Sequence, residues 1–170
     1  MDWKKEAKEW ISALVVAVVV GILLTQFVIV SAVVPTGSMQ DTIQPGDRII
    51  GWRLNYLFSD PQRGDVVIFK YPDDETQLFV KRVIGLPGET VEIVDGVTYI
   101  NGTPLEEDYI KEEPLEDSGP FTVPEDSYFM MGDNRNHSAD SRFWNNTYVK
   151  ENKILGKVLF RYWPMPAWLA

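Results

Sequence analysis

The chain has no cysteine among its 170 residues. That removes disulfides, thiolate metal sites and a cysteine nucleophile. It has a single histidine, His137, which leaves a multi-histidine metal centre without ligands, and no metal or cofactor is expected. Basic side chains are few: 16 Lys and Arg face 25 Asp and Glu, a net charge of −9. A nucleic-acid partner is excluded on that balance, because phosphate binding needs a basic footprint. There are no internal repeats. Charge of either sign is missing altogether from Trp10 to Gln40.

That uncharged run is the first positive feature. Ile11 to Val30 is nearly all Val, Ile, Leu and Ala, and about 20 such residues as a helix span about 30 Å, the apolar thickness of a bilayer. Lipid offers no partner for open backbone groups, so a crossing segment must be helical. Lys4, Lys5 and Lys8 precede it and an acidic region follows, which by the positive-inside tendency puts the N-terminus in the cytoplasm. The sequence thus predicts a cytoplasmic segment 1–9, a transmembrane helix 10–31 and an extracytoplasmic domain 32–170 at the cell membrane. The rival reading is a cleaved secretory signal peptide. Its apolar core is shorter, about 7 to 15 residues, and here no small-x-small site intervenes before Pro35.

About 135 residues then remain, enough for one domain with its own core. The 11 prolines, 12 glycines and many β-branched and aromatic residues predict a β-rich domain with many turns. Strands are expected over Arg48–Leu54, Asp65–Lys70, Gln77–Ile84, Val91–Val94, Val97–Ile100, Tyr128–Met131 and Lys153–Trp163, with an exposed loop at Tyr71–Glu75. Asp95-Gly96 and Asn101-Gly102 are two-residue turn signals requiring positive φ. Thr103–Asp126, with four prolines and nine acids, reads as an acidic surface excursion with a solvated charged face.

Ser38 lies just past the apolar run, in Thr36-Gly37-Ser38-Met39. Gly37 frees the backbone before it, Pro35 stiffens the approach, and an apolar Met39 follows where a solvated loop rarely has one. A serine hydroxyl needs a base to become a nucleophile; His137, a carboxylate and a lysine are the options. Lys81 is the unusual lysine, on a strand among Phe79, Val80, Val83 and Ile84. Alternation puts it on one face with Phe79 and Val83, and Arg82 on the other. Burial there would lower its pKa from about 10.4 by disfavouring the charged form. The plainer reading is an edge lysine whose amine reaches water. Gly132–Arg142 is a dense polar loop that fails as an EF-hand, because Arg135 and His137 fall on ligand positions. A Ser-His-Asp site through His137 and a loop fixing its own backbone both stay open.

Taken together these stretches resemble the type I signal peptidases, in particular the short, single-span, Gram-positive-like bacterial kind. The resemblance rests on the anchor, Thr36-Gly37-Ser38-Met39, Pro45-Gly46-Asp47, Arg63-Gly64-Asp65, Lys81-Arg82 through Glu89, Gly132-Asp133-Asn134-Arg135, and Ser138 with Asp140-Ser141-Arg142. It covers nearly the whole chain. It implies a mostly β catalytic domain of antiparallel sheets with a small excursion at Thr103–Asp126, in a membrane-bound serine endopeptidase that removes signal peptides from secretory preproteins by a Ser-Lys dyad. Ser38 would be the nucleophile and Lys81 the general base. The Ser38 N–H and the Thr36 hydroxyl would form an oxyanion hole, Ser138 would orient the Lys81 amine, and Asp140 and Arg142 would pair behind the dyad. His137 would stand by. Substrate would lie extended beside an active-site strand, its first and third residues before the cut facing shallow pockets that admit small side chains. Apolar side chains, Met39 among them, would line those pockets and desolvate Lys81. Asp41, Ile43 and Asn145 depart from the proline, leucine and glycine often found there. Preproteins and the bilayer are the implied partners of a monomer. A repressor-type Ser-Lys protease, which would carry a DNA-binding segment and no span, and a non-enzymatic anchored β-module are the rival classes.

Overall fold

The protein is described here by a computed structural model covering residues 3–169. Met1, Asp2 and Ala170, the outermost residues of the predicted cytoplasmic segment and domain, lie outside the described residues. Helix α1 (Trp3–Leu23) continues through a π-helical stretch, Leu24–Val28. Together they form one helix of 26 residues, none of them buried, long and apolar enough to cross a membrane.

The helix stops short of the predicted Ser31. Ile29–Val33 is strand β1, paired antiparallel with β2 (Arg48–Trp52) from Ile29 opposite Trp52 to Val33 opposite Arg48. Continuous apolarity does not distinguish a lipid-facing helix from a buried strand. The alternation does: Val30 is buried while Ser31 and Val33 are exposed. The last apolar residues therefore belong to the domain, and Arg53 Nε fixes the junction by donating to the Ile29 carbonyl at 3.1 Å.

The remaining strands are β3 (Val66–Tyr71), β4 (Asp74–Gly85), β5 (Thr90–Val94), β6 (Val97–Ile100), β7 (Thr103–Pro104), β8 (Ser118–Thr122), β9 (Ser127–Met131), β10 (Val149–Lys150), β11 (Ile154–Trp163) and β12 (Ala167–Trp168). They form two antiparallel sheets. The larger runs β1-β2-β11-β3-β4-β9-β10, with β12 added on β11, and the smaller runs β7-β6-β5-β8. Asp95 and Asn101 take the positive φ, 49° and 51°, that their Gly-containing turns require.

Two expectations change. The exposed loop predicted at Tyr71–Glu75 shrinks to a tight turn, because Asp74 already pairs with Tyr71 and β4 runs for 12 residues. The excursion predicted at 103–126 is the later part of a sheet that begins at Thr90, where β8 pairs back onto β5.

Strand β4 joins the sheets. Its exposed first half flanks β3, and its buried end reaches the core of Ile84, Val91, Ile93, Val123, Phe129 and Met131 between the two sheets. Gly85 sits at that crossing. A Cβ there would stand 2.5 Å from Val91 Cγ2 and 3.0 Å from Phe129 Cβ. Gly85→Ala is expected to lower stability by about 1–3 kcal/mol, read as an earlier denaturant midpoint.

Candidate active site

Ser38 lies in a compact turn immediately after β1. Gln40 N–H donates to Gly37 O and Ile43 N–H to Met39 O, winding the chain so that Ser38 is only 7% exposed. A neighbouring loop clamps the turn from behind. Asn134 N–H donates to Ser38 O at 3.1 Å and Asn134 Nδ2 to Gly37 O at 3.0 Å. Gly132 packs so tightly there that a Cβ would fall within 2.4 Å of Ser38 O.

Lys81 reaches this serine from β4, where it pairs with Val67. Its Nζ lies 2.5 Å from Ser38 Oγ and 5.6 Å from the Phe79 ring centre. The side chain is buried, and burial pushes the amine from 10.5 down to about 8. Asp140 and Asp133 oppose that shift and Arg142 adds to it. The lysine is thus not the water-seeking edge residue of the plainer reading. An amine that gives up its proton near neutrality can accept one from a hydroxyl at this distance. Thr36 Oγ1 is 3.4 Å from Ser38 Oγ, on the open side.

The acids near Lys81 are each committed to an arginine. Asp140 accepts from Arg142 Nε and Nη2, both at 2.8 Å, and from Gly132 N–H at 3.0 Å. Asp133 accepts from Arg82 Nε at 2.8 Å and Nη2 at 2.6 Å, and from Thr42 Oγ1 at 2.5 Å. Nothing in the sequence pairs Arg82 with Asp133; alternation only turns Arg82 away from Lys81.

The second sheet adds a further pair. Arg135, fully buried, binds Glu107 at 2.7 and 2.5 Å, and Tyr109 lies 3.9 Å below the Arg82 guanidinium. Burial alone would raise the Glu107 carboxyl, but Arg135 holds it below its usual range. So the acidic excursion is not solvated throughout, and nothing in its composition singles Glu107 out.

Two expected contacts are absent. Ser138 Oγ is buried but has no hydrogen-bond partner among the described residues, so it does not hold the Lys81 amine. Met39 is fully buried beneath the turn, packed with Val30, Val34, Ile43 and Ile68. It does not line the groove beside Ser38, because the turn packs its side chain into the core. His137 is exposed and bonds Asn134 Oδ1 at 3.3 Å, with no bond to Ser38.

Ser38 and Lys81 open onto a groove of about 560 Å³. One wall is Ser31 to Thr36 and the other is Gln77 to Lys81, with Ala139 between. Both walls are free strand edges. Among the described residues β1 pairs only with β2, and β9 meets β4 only from Arg82 onward. An extended peptide can add as a strand between them, where Ala32, Val34, Val80 and Ala139 present small or β-branched apolar side chains.

Comparison with known proteins gives a consistent picture. The family model described as "Signal peptidase, peptidase S26" matches residues 7–163. The chain is 41% identical over 168 residues to "Probable signal peptidase I-1" of Synechocystis sp., covering 95% of this chain and 85% of the relative. It is 35% identical over 171 residues to "Signal peptidase I" of Bacillus licheniformis, covering 95% and 91%. A crystal structure of a signal peptidase I from Enterococcus faecalis matches with a TM-score of 0.52 at 39% identity, over 58% of this chain and 97% of that one.

The buried amine should leave a mark on stability. Between about 8 and 10.5 the unfolded chain holds a proton on Lys81 that the folded chain does not, so folding becomes more favourable as pH rises across that window. Below about 8 both states are protonated and a cost of about 3 kcal/mol remains in full. Lys81→Met is expected to be more stable than the parent at pH 7, with the advantage shrinking toward pH 10, in denaturant titrations at each pH.

Proposed function

Because the chain belongs to the signal peptidase family, and is therefore a serine peptidase that removes signal peptides from preproteins, we propose that it does so with Ser38 as nucleophile and Lys81 as general base. The 2.5 Å contact between Ser38 Oγ and the buried Lys81 Nζ carries this reading. Neutral Lys81 takes the Ser38 proton as Oγ attacks the scissile carbonyl. The resulting ammonium gives that proton to the leaving amine, which departs as the new N-terminus. Lys81 then deprotonates a water that attacks the acyl-enzyme, and Ser38 is regenerated. Negative charge on the carbonyl oxygen falls beside the Thr36 hydroxyl and the Ser38 N–H, which has no acceptor among the described residues.

Asp140–Arg142 and Asp133–Arg82 brace the loop that backs the dyad. The groove supports a preference for small residues at the first and third positions before the cut, since these share one wall of an added strand. The helix through Val28 would anchor the chain in the cell membrane. Lys4, Lys5 and Lys8 favour a cytoplasmic N-terminus and hence an extracytoplasmic catalytic domain. Strand β1 starts at Ile29, directly after the helix, which supports a groove that begins at the membrane surface. Both dyad groups come from one chain, which supports a monomer.

Mixing detergent-solubilised protein with a secretory precursor tests the assignment. Ser38→Ala and Lys81→Ala are each expected to lower kcat/KM by a factor of about 10³ or more. Parent-like cleavage by both would contradict it. For the parent, kcat/KM should rise with pH through about 8 and then level, following the neutral fraction of Lys81. A rise centred near 6.5 and lost in His137→Ala would assign the base to histidine.

A further inference from the structure

A second cleft, of about 180 Å³, opens beyond Ser38 on the far side of His137. His137 lines both it and the groove, so the two adjoin at that side chain. Their chemistry differs. The groove is walled by apolar strand residues, whereas the cleft is rimmed by Gln40, Asp41, Lys111, Glu112 and Asn134.

The direction of a bound chain follows from the fold. Residues before the cut come from the bilayer and enter the groove at Ser31 and Val33, next to the helix exit. Residues after the cut must leave past Ser38 in the opposite sense. Gln40 and Asp41 are the next exposed residues of the nucleophile turn, and they open into the cleft.

Not every charge in the cleft is free to meet a ligand. Asp133 is taken up by Arg82 and Thr42, and Arg135 by Glu107. What remains is Asp41 and Glu112 against Lys111. Lys111 Nζ stands 3.7 Å from Asp41 Oδ2, with the side chains 71% and 55% exposed. A pair this long and this wet is weak and readily exchanged for another partner.

We propose that this cleft is the subsite for the first residues of the released chain, and that Asp41 and Lys111 set its charge preference. The proposal rests on the Ser38–Lys81 reading of the groove. With two carboxylates facing one ammonium, a basic side chain just after the cut is favoured over an acidic one. Lys111, which comes from the acidic excursion, makes that segment part of the specificity surface.

The test uses the full chain in detergent and peptides identical up to the cut. Lys, Gln or Glu is placed at one of the first three positions after it. The Lys-to-Glu ratio of kcat/KM is expected to exceed one by about two- to five-fold at one or more positions. Asp41→Asn should bring the ratio toward one, Asp41→Glu should restore it, and Lys111→Gln should raise it. Raising the salt to about 1 M should collapse the parent ratio, an effect that a purely structural role for Asp41 would not produce. A ratio of one at all three positions, or one unchanged in Asp41→Asn and Lys111→Gln, overturns the proposal alone. Failure to cut even the Gln peptides overturns the dyad reading and this proposal with it.

Discussion

The structure depends on one desolvated contact, an amine held 2.5 Å from a hydroxyl where water has little access. Burial favours the neutral amine only while nearby carboxylates do not restore its charge, and two carboxylates are nearby. Each is bound by its own arginine, Asp140 by Arg142 and Asp133 by Arg82. Their pull on Lys81 is real but small enough that desolvation prevails. The ion pairs therefore do more than brace a loop. They absorb negative charge that would otherwise return Lys81 to its ordinary protonated state.

The same pairs explain why a second sheet is present. Arg135 and Glu107 join the loop behind the serine to the excursion, and Tyr109 stacks under Arg82. Buried charges are costly unless paired and hydrogen-bonded, so these contacts cannot be broken singly without leaving an uncompensated ion. The loop at Gly132–Arg142 is consequently fixed from two directions, by the nucleophile turn and by the second sheet. A polar loop that is free elsewhere behaves here as part of the core.

Much of this was legible in the sequence, and the exceptions have physical reasons. The alternation around Lys81 identified a lysine on an apolar strand face, and the Asp-Gly and Asn-Gly turns fixed a hairpin register. The helix end was misplaced because Ile29 to Ser31 are apolar enough for lipid and become a strand only through pairing with Arg48–Trp52. Met39 was misassigned because proximity to Ser38 in sequence says nothing about which way a tight turn points its side chains. Glu107 was invisible among nine acids of one stretch, since its partner Arg135 lies 28 residues away in the chain. Local pattern reports periodicity and turns; it does not report which distant charges meet.

The junction at Ile29 ties chemistry to location. An apolar helix passes directly into an edge strand, and that strand is a wall of the groove whose floor holds the serine. A peptide entering the groove from its helix end meets two open strand edges before it meets the nucleophile. The central claim is that Lys81 is half neutral at about pH 8 in the free protein, before any substrate arrives. The most direct measurement is an NMR titration of the Lys81 side-chain ¹³Cε resonance in the full chain, assigned by comparison with Lys81→Met. The account predicts a midpoint of about 8. A midpoint near the ordinary lysine value of 10.5 would contradict it.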